Sequence, residues 1–252
     1  MSREYLNALW ELTKRELRRK YARSYLGIAW SSLYPLLRMM LVTFLFSHVF
    51  NKGIPSYPVY YFIAYLIFEF WEVSTLTSVT ALRDNKDLYI KSKLPKELFV
   101  VSRVLTAFVN FLLGLIPFCI VLLIYRITVT YRIVFFLIDL FFLVLFVIGI
   151  SYFSAVVYCF FRDIRNLLSR LLMVLRYFVA MFYGIDSVSS GVRNFIIHNP
   201  PYVFIKIARD AILYNRISEG MYWSQMIVYS LLSFFVGRVV FEFNKDRVLL
   251  KL

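Results

Sequence analysis

Apolar positions in this chain come in long blocks, and polar positions gather between them. Six apolar runs, at about 32–51, 57–82, 97–125, 133–160, 167–186 and 222–242, are each long enough to cross hydrocarbon as a helix. The longer runs must tilt or extend beyond the lipid. Ahead of the first run the pattern changes. Leu6, Leu9, Trp10, Thr13, Leu17 and Tyr21 recur at helical spacing, with Glu11, Arg15, Arg18 and Arg19 opposite them. This predicts a helix lying in the membrane interface, apolar side in acyl chains and basic side on phosphates. The expected fold class is all-α and membrane-integral, a single transmembrane domain over 1–252. Within it, 1–31 is the interface helix, 32–186 holds spans one to five, 187–221 is an outer segment, and 222–252 is span six with a tail.

The polar connectors set the orientation. KRELRRKYARSYLGIAWSSLYPLL (14–37) packs Lys14, Arg15, Arg18, Arg19, Lys20 and Arg23 directly before the first run. The connector after span two carries Arg83, Lys86, Lys91, Lys93 and Lys96; that after span four carries Arg162 and Arg165; the tail carries Lys245, Arg247 and Lys251. The short connectors on the other side hold only Lys52, Arg126 and Arg132. Cationic short loops stay in the cytoplasm, so both ends of the chain are expected inside.

Composition supports lipid as the solvent. Of 252 residues, 61% are apolar and 17% charged, too much apolar surface for one soluble core to hide. The net charge of +14 would suggest nucleic acid on a soluble chain. Here the cations sit between apolar runs, and the anionic inner leaflet explains them more simply. Cys119 and Cys159 fall near opposite faces of the bilayer and are expected to be unpaired. No cleavable signal peptide is expected, because no small-residue cleavage site follows the first run.

Catalytic patterns are absent. The eight glycines form no Gly-x-x-x-x-Gly-Lys-Ser/Thr loop and no Gly-x-Ser-x-Gly elbow. His48 and His198 have no metal-ligand partner at a recognised spacing. These absences favour transport, channel or structural roles over enzymology. Charges at membrane depth remain to be explained. Glu69 and Glu72 share a face of span two, Arg176 lies mid-way along span five, Asp139 sits in the outer part of span four, and Arg38, Arg103 and Arg170 lie near the inner boundary. Two readings stay open: an internal ion pair, such as Glu69 or Glu72 with Arg176, or arginines that meet an anionic headgroup of a transported lipid. Tyr34, Tyr177 and Tyr183 share spans with arginine, and their rings could stack on sugars or sit in an interface belt.

Two connectors stand out. A short helix over about 84–91 in RDNKDLYIKSKLPKELF would present Asp84, Lys86, Asp87 and Lys91 to a cytosolic partner. The outer stretch GVRNFIIHNPPYVFIKIARDAILYN (191–215) is too apolar for a free loop. It is expected to dip into the outer leaflet or cap the bundle, packed on protein.

These stretches together resemble a known family. YARSYLGIAWSSLYPLL with Tyr21, Ser24, Leu26, Gly27, Trp30, Leu33, Pro35, Leu36 and Leu37, then KSKLPKEL, then FRDIRN at Phe161–Asn166, then NPPYVFIKIARDAIL with Asn199, Pro200, Arg209 and Leu213, resemble ABC-type polysaccharide export permeases, O-antigen exporters of the Wzm type above all. Capsule and teichoic-acid permeases share these motifs. The resemblance implies a homodimer of six-span subunits in a bacterial inner membrane, two copies of a separate ATP-binding subunit, and a polysaccharide on a polyprenyl pyrophosphate lipid. ATP and magnesium would sit on the partner and no cofactor on this chain. It implies coupling to the ATPase through Asp84, Lys86, Asp87, Leu88, Tyr89 and Lys91, and an outer gate around Asn199, Pro200 and Arg209. Tyr34, Arg38, Arg176, Tyr177 and Tyr183 are chosen by depth and face as path-lining residues. Arg15, Arg18, Arg19 and Arg23 could attract the pyrophosphate headgroup. A different cargo (teichoic acid, capsule polysaccharide or a small lipophilic drug) and a membrane enzyme or structural subunit stand as alternatives.

Overall fold

The computed structural model describes residues 3–22, 25–49, 54–92 and 94–251, without the side chains of 46–49 and 249–250. The described residues are overwhelmingly helical. α1 (Arg3–Tyr21) leads through a 3-10 turn into α2 (Trp30–Val49). α3 (Tyr57–Ser78) is followed by the short α4 (Ala81–Asp84) and α5 (Lys86–Lys91). α6 (Leu98–Ile124) and α7 (Ile133–Phe160) match the apolar runs read at 97–125 and 133–160. α8 (Ile164–Leu175), α9 (Ser190–Ile197) and α10 (Pro200–Ile212) precede α11 (Gly220–Lys251). Among the described residues, five helices are long and apolar enough to cross a membrane: those at 27–45, 57–78, 98–124, 133–160 and 220–248.

α3 is the central helix. Tyr61, Phe62, Ile63, Tyr65, Ile67 and Phe68 are all enclosed, against α2, α6, α7 and α10. Pro58 opens it, at a position where a missing N–H costs nothing. α7 and α11 form the most intimate pair, and they run in the same direction: Phe135 meets Trp223 at one end and Tyr152 meets Phe241 at the other. Gly149 and Gly237 are required there. A Cβ on Gly237 would overlap the Gly149 carbonyl, and one on Gly149 would overlap the Ser233 backbone. The two cysteines are free, Cys119 towards the end of α6 and Cys159 in the last turn of α7.

Because α7 and α11 are parallel neighbours, the chain between them must return over the length of the bundle. It leaves the end of α7 as α8, and by Ala180–Tyr183 it has reached the opposite end, beside Tyr57 and Tyr60 in the first turn of α3. The run read at 167–186 is not one continuous helix. It is α-helical only to Leu175, turns as 3-10 through Phe178, and continues as irregular, buried chain. The cause lies in side chains from elsewhere. Tyr60 donates to the carbonyls of Ala180 (3.1 Å) and Tyr183 (2.8 Å), Tyr57 to that of Phe182 (3.0 Å) and Asn199 to that of Phe178 (2.8 Å). Carbonyls released from the helical ladder are thus satisfied inside protein, the condition for irregular backbone at membrane depth.

α1 also differs in detail from its reading. The residues it buries are Leu9, Leu12, Thr13 and Glu16, against α6, while Leu6 and Trp10 stay exposed. The apolar stripe is split between protein and surroundings, and a carboxylate sits on the protein side.

Candidate functional site

Three groups of polar residues interrupt the apolar bundle. The first is at the end that carries α1, α4 and α5. Asp84 ends α4, accepts from Thr80 Oγ1 (2.7 Å) and pairs with Arg103 (3.0 Å). Asn85 interrupts the helix with backbone angles outside the helical region (φ −112°, ψ 24°), so α5 starts in a new direction. On α5, Lys86, Asp87, Leu88 and Lys91 are exposed. Tyr89 is the anchor: it is fully buried, stacks near Phe99 and donates to the Lys245 carbonyl at 2.8 Å, tying α5 to the end of α11. Burial pushes its hydroxyl up to about 12. The Lys96 ammonium caps the same ring at 4.7 Å.

α1 faces this group. Glu16, only 5% exposed, pairs with Arg15 (2.9 Å), Arg103 (2.9 Å) and, more loosely, Arg19 (3.7 Å). Arg15 also bonds Asn85 Oδ1. Arg18 is exposed, and Arg23 lies outside the described residues. The end of α1 is pinned as well, because Tyr21 and Ser31 share Asn110 Oδ1 at 2.5 and 3.1 Å. Between these elements lies a cavity of about 560 Å³ lined by Glu16, Arg19, Asp84 and Arg103. A second cavity of about 330 Å³, sharing Lys20, Val73, Ala107 and Asn110 with it, runs on past Tyr34 and Glu69.

The second group lies along α3. Arg38 sits 5.1 Å over the Tyr65 ring and reaches the Tyr34 hydroxyl at 3.4 Å. Arg176 forms an ion pair with Glu72 and lies over Phe68. The internal pair left open by the sequence is therefore made, with Glu72 as its acid. Tyr65, Phe68 and Glu72 recur at helical spacing, so Tyr34, Arg38 and Arg176 gather on one face of α3. Tyr177 is exposed beside Arg176, and Tyr183 turns back to donate to the Tyr177 carbonyl at 2.6 Å.

The third group is α9, α10 and the chain to α11. Tyr229, well inside α11, donates to the His198 carbonyl at 3.0 Å, and Phe146, midway along α7, meets Phe204. The His198–Pro200 tip therefore reaches deep between the long helices, and α10 returns as a buried helix. The stretch 191–215 is thus α9 and most of a buried α10, packed on α3, α7 and α11. Asn199 and Pro200 form the tip, and Pro200 starts α10 where proline is favoured. Arg209 is buried, stacks 3.3 Å above the Tyr60 ring and donates twice to the Tyr60 carbonyl, at 3.2 and 3.1 Å. Next to it, buried Asp210 accepts from Lys206 (2.5 Å), Arg216 (2.9 Å) and Ser218 (2.8 Å).

Sequence reasoning missed Glu16, Asn110, Tyr60 and Asp210. Glu16 and Asp210 had a signal, since each is an acid on an otherwise basic or apolar helix face. Asn110 and Tyr60 had none, because their partners are more than 75 residues away or on another helix.

No family model matches the chain. Whole-chain comparison does find relatives. The O-antigen export system permease protein RfbA of Myxococcus xanthus is 26% identical over 246 residues, 96% of this chain and 94% of the relative. A Klebsiella pneumoniae protein of the same name is 26% identical over 94% of this chain and 91% of its own length. The polysialic acid transport protein KpsM of Escherichia coli is 20% identical over 93% of this chain and 92% of its own. The motifs and the whole length thus agree: this chain is similar, across more than nine-tenths of its residues, to permeases named for O-antigen export.

Proposed function

We propose that the chain is the permease subunit of an ATP-driven exporter that moves an O-antigen-type polysaccharide, carried on a polyprenyl pyrophosphate lipid, across the bacterial inner membrane. The observation that carries this reading is the near full-length similarity to O-antigen export permeases. Six passages make up the subunit. The five long helices supply five, and the segment from Ile164 to Tyr183 supplies the other, since it joins opposite ends of α7 and α3. Both termini lie in the cytoplasm, with the cationic connectors. Two copies pair, burying apolar side chains that α2 and α8 present outward, among them Leu37, Leu41, Leu167 and Leu171.

In this reading the exposed face of α5, with Asp87, Leu88 and Lys91, enters a groove of the ATPase subunit, one per permease. Tyr89 carries the resulting motion into α11. ATP and magnesium act on the ATPase; no catalytic group is needed on this chain. Arg18, with Arg15, Arg19 and Arg23 around it, draws the pyrophosphate to the inner face. Tyr34, Arg38, Arg176, Tyr177 and Tyr183 line the path, and the tip at Asn199–Pro200, locked by Arg209, forms the outer gate. A capsule polysaccharide is the second reading, favoured by the similarity to KpsM.

The test is co-expression with a P-loop ATPase subunit, followed by purification and deletion. The expected results are a stable complex whose ATP hydrolysis exceeds that of the ATPase alone, and loss of surface O-antigen in the deletion strain. Loss of capsule alone would favour the second reading. Neither complex nor surface defect would refute both. Replacing Arg15, Arg18, Arg19 and Arg23 with Gln should lower export while insertion is kept; unchanged export removes their headgroup role.

A further inference from the structure

We infer that Arg103 is a positioning residue that ties the interface helix to the α4–α5 segment, so that the two move as one body. The physical link stands on geometry alone; its use in export rests on the function proposed above. Arg103 sits in the second turn of α6, with one guanidinium nitrogen 2.9 Å from Glu16 of α1 and another 3.0 Å from Asp84 of α4. A second route runs beside it: Arg15 bridges Glu16 and Asn85, and buried Asn85 donates to the Ala81 carbonyl at 2.8 Å. Both routes from α1 end on adjacent residues, 84 and 85, where α4 turns into α5.

Three features make this a linkage rather than incidental surface pairing. Glu16 is buried, so separating it from its guanidiniums leaves an unpaired carboxylate in a poor solvent, and α1 must follow them. The charges close a contact that apolar side chains also make: Leu9 and Leu12 of α1 share a buried cluster with Ala81 and Leu82 of α4 and Tyr89 of α5, beside the cavity of about 560 Å³. And a planar guanidinium can hold two carboxylates at fixed angles at once, whereas an ammonium acts as a point charge. Movement imposed on α5 from the cytosol then reaches the entry helix through Arg15 and through the first two turns of α6, without crossing the bundle.

The experiment uses the full chain in lipid nanodiscs with Cys119 and Cys159 replaced by Ser. Spin labels are placed at two exposed positions, Glu11→Cys on α1 and Ile90→Cys on α5. The expected result is one narrow distance distribution, which broadens about twofold in Arg103→Gln and stays broad in Arg103→Lys. Glu16→Gln provides a second route to the same broadening if Arg103→Gln does not insert. A distribution as narrow in these variants as in the parent overturns the inference. With the ATPase subunit added, Arg103→Gln should lower export about tenfold while ATP hydrolysis stays within about twofold, the size of an ordinary coupling energy. Export that falls only in step with hydrolysis also overturns it. If no ATPase subunit binds, the transporter reading fails, and the distance measurement on the chain alone still decides the linkage.

Discussion

The two ends of the molecule use the same chemistry to opposite effect. At each, a buried acid collects several cations. Around Asp210, the partners are Lys206, Arg216 and Ser218, all within the segment from α10 to the start of α11, and the neighbouring Arg209 is sealed against Tyr60. Around Glu16, the partners come from separate elements, and the group borders a cavity. The outer network folds one segment onto itself and holds it still. The network around Glu16 joins different helices to one another, over an apolar cluster they share. The lesson is that an ion pair's role follows from what it connects and how dry it is, rather than from its residue types.

The comparison can be broken at several points. The largest expected effect is at Asp210. Asp210→Ala leaves half-buried Lys206 and buried Ser218 without their acceptor and releases the exposed Arg216 to water, and should cost about 3 kcal/mol in thermal or denaturant unfolding in detergent. A cost below about 1 kcal/mol would mean the outer segment is as loosely held as the inner one. Arg209→Leu comes next. It keeps bulk but loses two charge-assisted bonds to the Tyr60 carbonyl, for about 2 kcal/mol, and should expose 191–215 to hydrogen exchange. At the inner end, alkaline pH separates anchoring from docking. The Tyr89 hydroxyl is held at about 12, above its usual 10, so its bond to Lys245 stabilises the fold fully below pH 10 and is lost between 10 and about 12. Tyr89→Phe should flatten that part of the stability curve relative to the parent, whose other tyrosines titrate alike in both. The smallest effect on stability is at Leu88, exposed on α5. Leu88→Ala should change unfolding by less than about 0.5 kcal/mol, yet weaken binding of the ATPase subunit measured by calorimetry.

Much of the fold was legible because lipid imposes a simple rule on composition. The runs at 97–125 and 133–160 match α6 and α7 almost residue for residue, since a long apolar run favours a continuous helix even across Pro117. The run at 167–186 carries Arg170, Arg176 and Asp186 among its apolar residues, and its second half is irregular. Hydropathy cannot register that tyrosines some 120 residues earlier hold the carbonyls of 180–183. α1 was legible as amphipathic from Leu9 and Thr13; Glu16 stood out as an acid among six arginines and lysines, but such an acid reads as solvated until its partners on other helices are known. Of the charges in the spans, Arg176 could be matched to the Glu69–Glu72 face by depth. The choice of Glu72 needed coordinates.

The chain through 176–183 has one more consequence. A helical stretch yields only when a whole ladder of amides lets go together. Here the backbone hangs from individual phenol and amide groups of Tyr57, Tyr60 and Asn199, each of which can release by itself. Such a stretch bends in small steps, and it lies against both the His198–Pro200 tip and the Arg176–Glu72 pair.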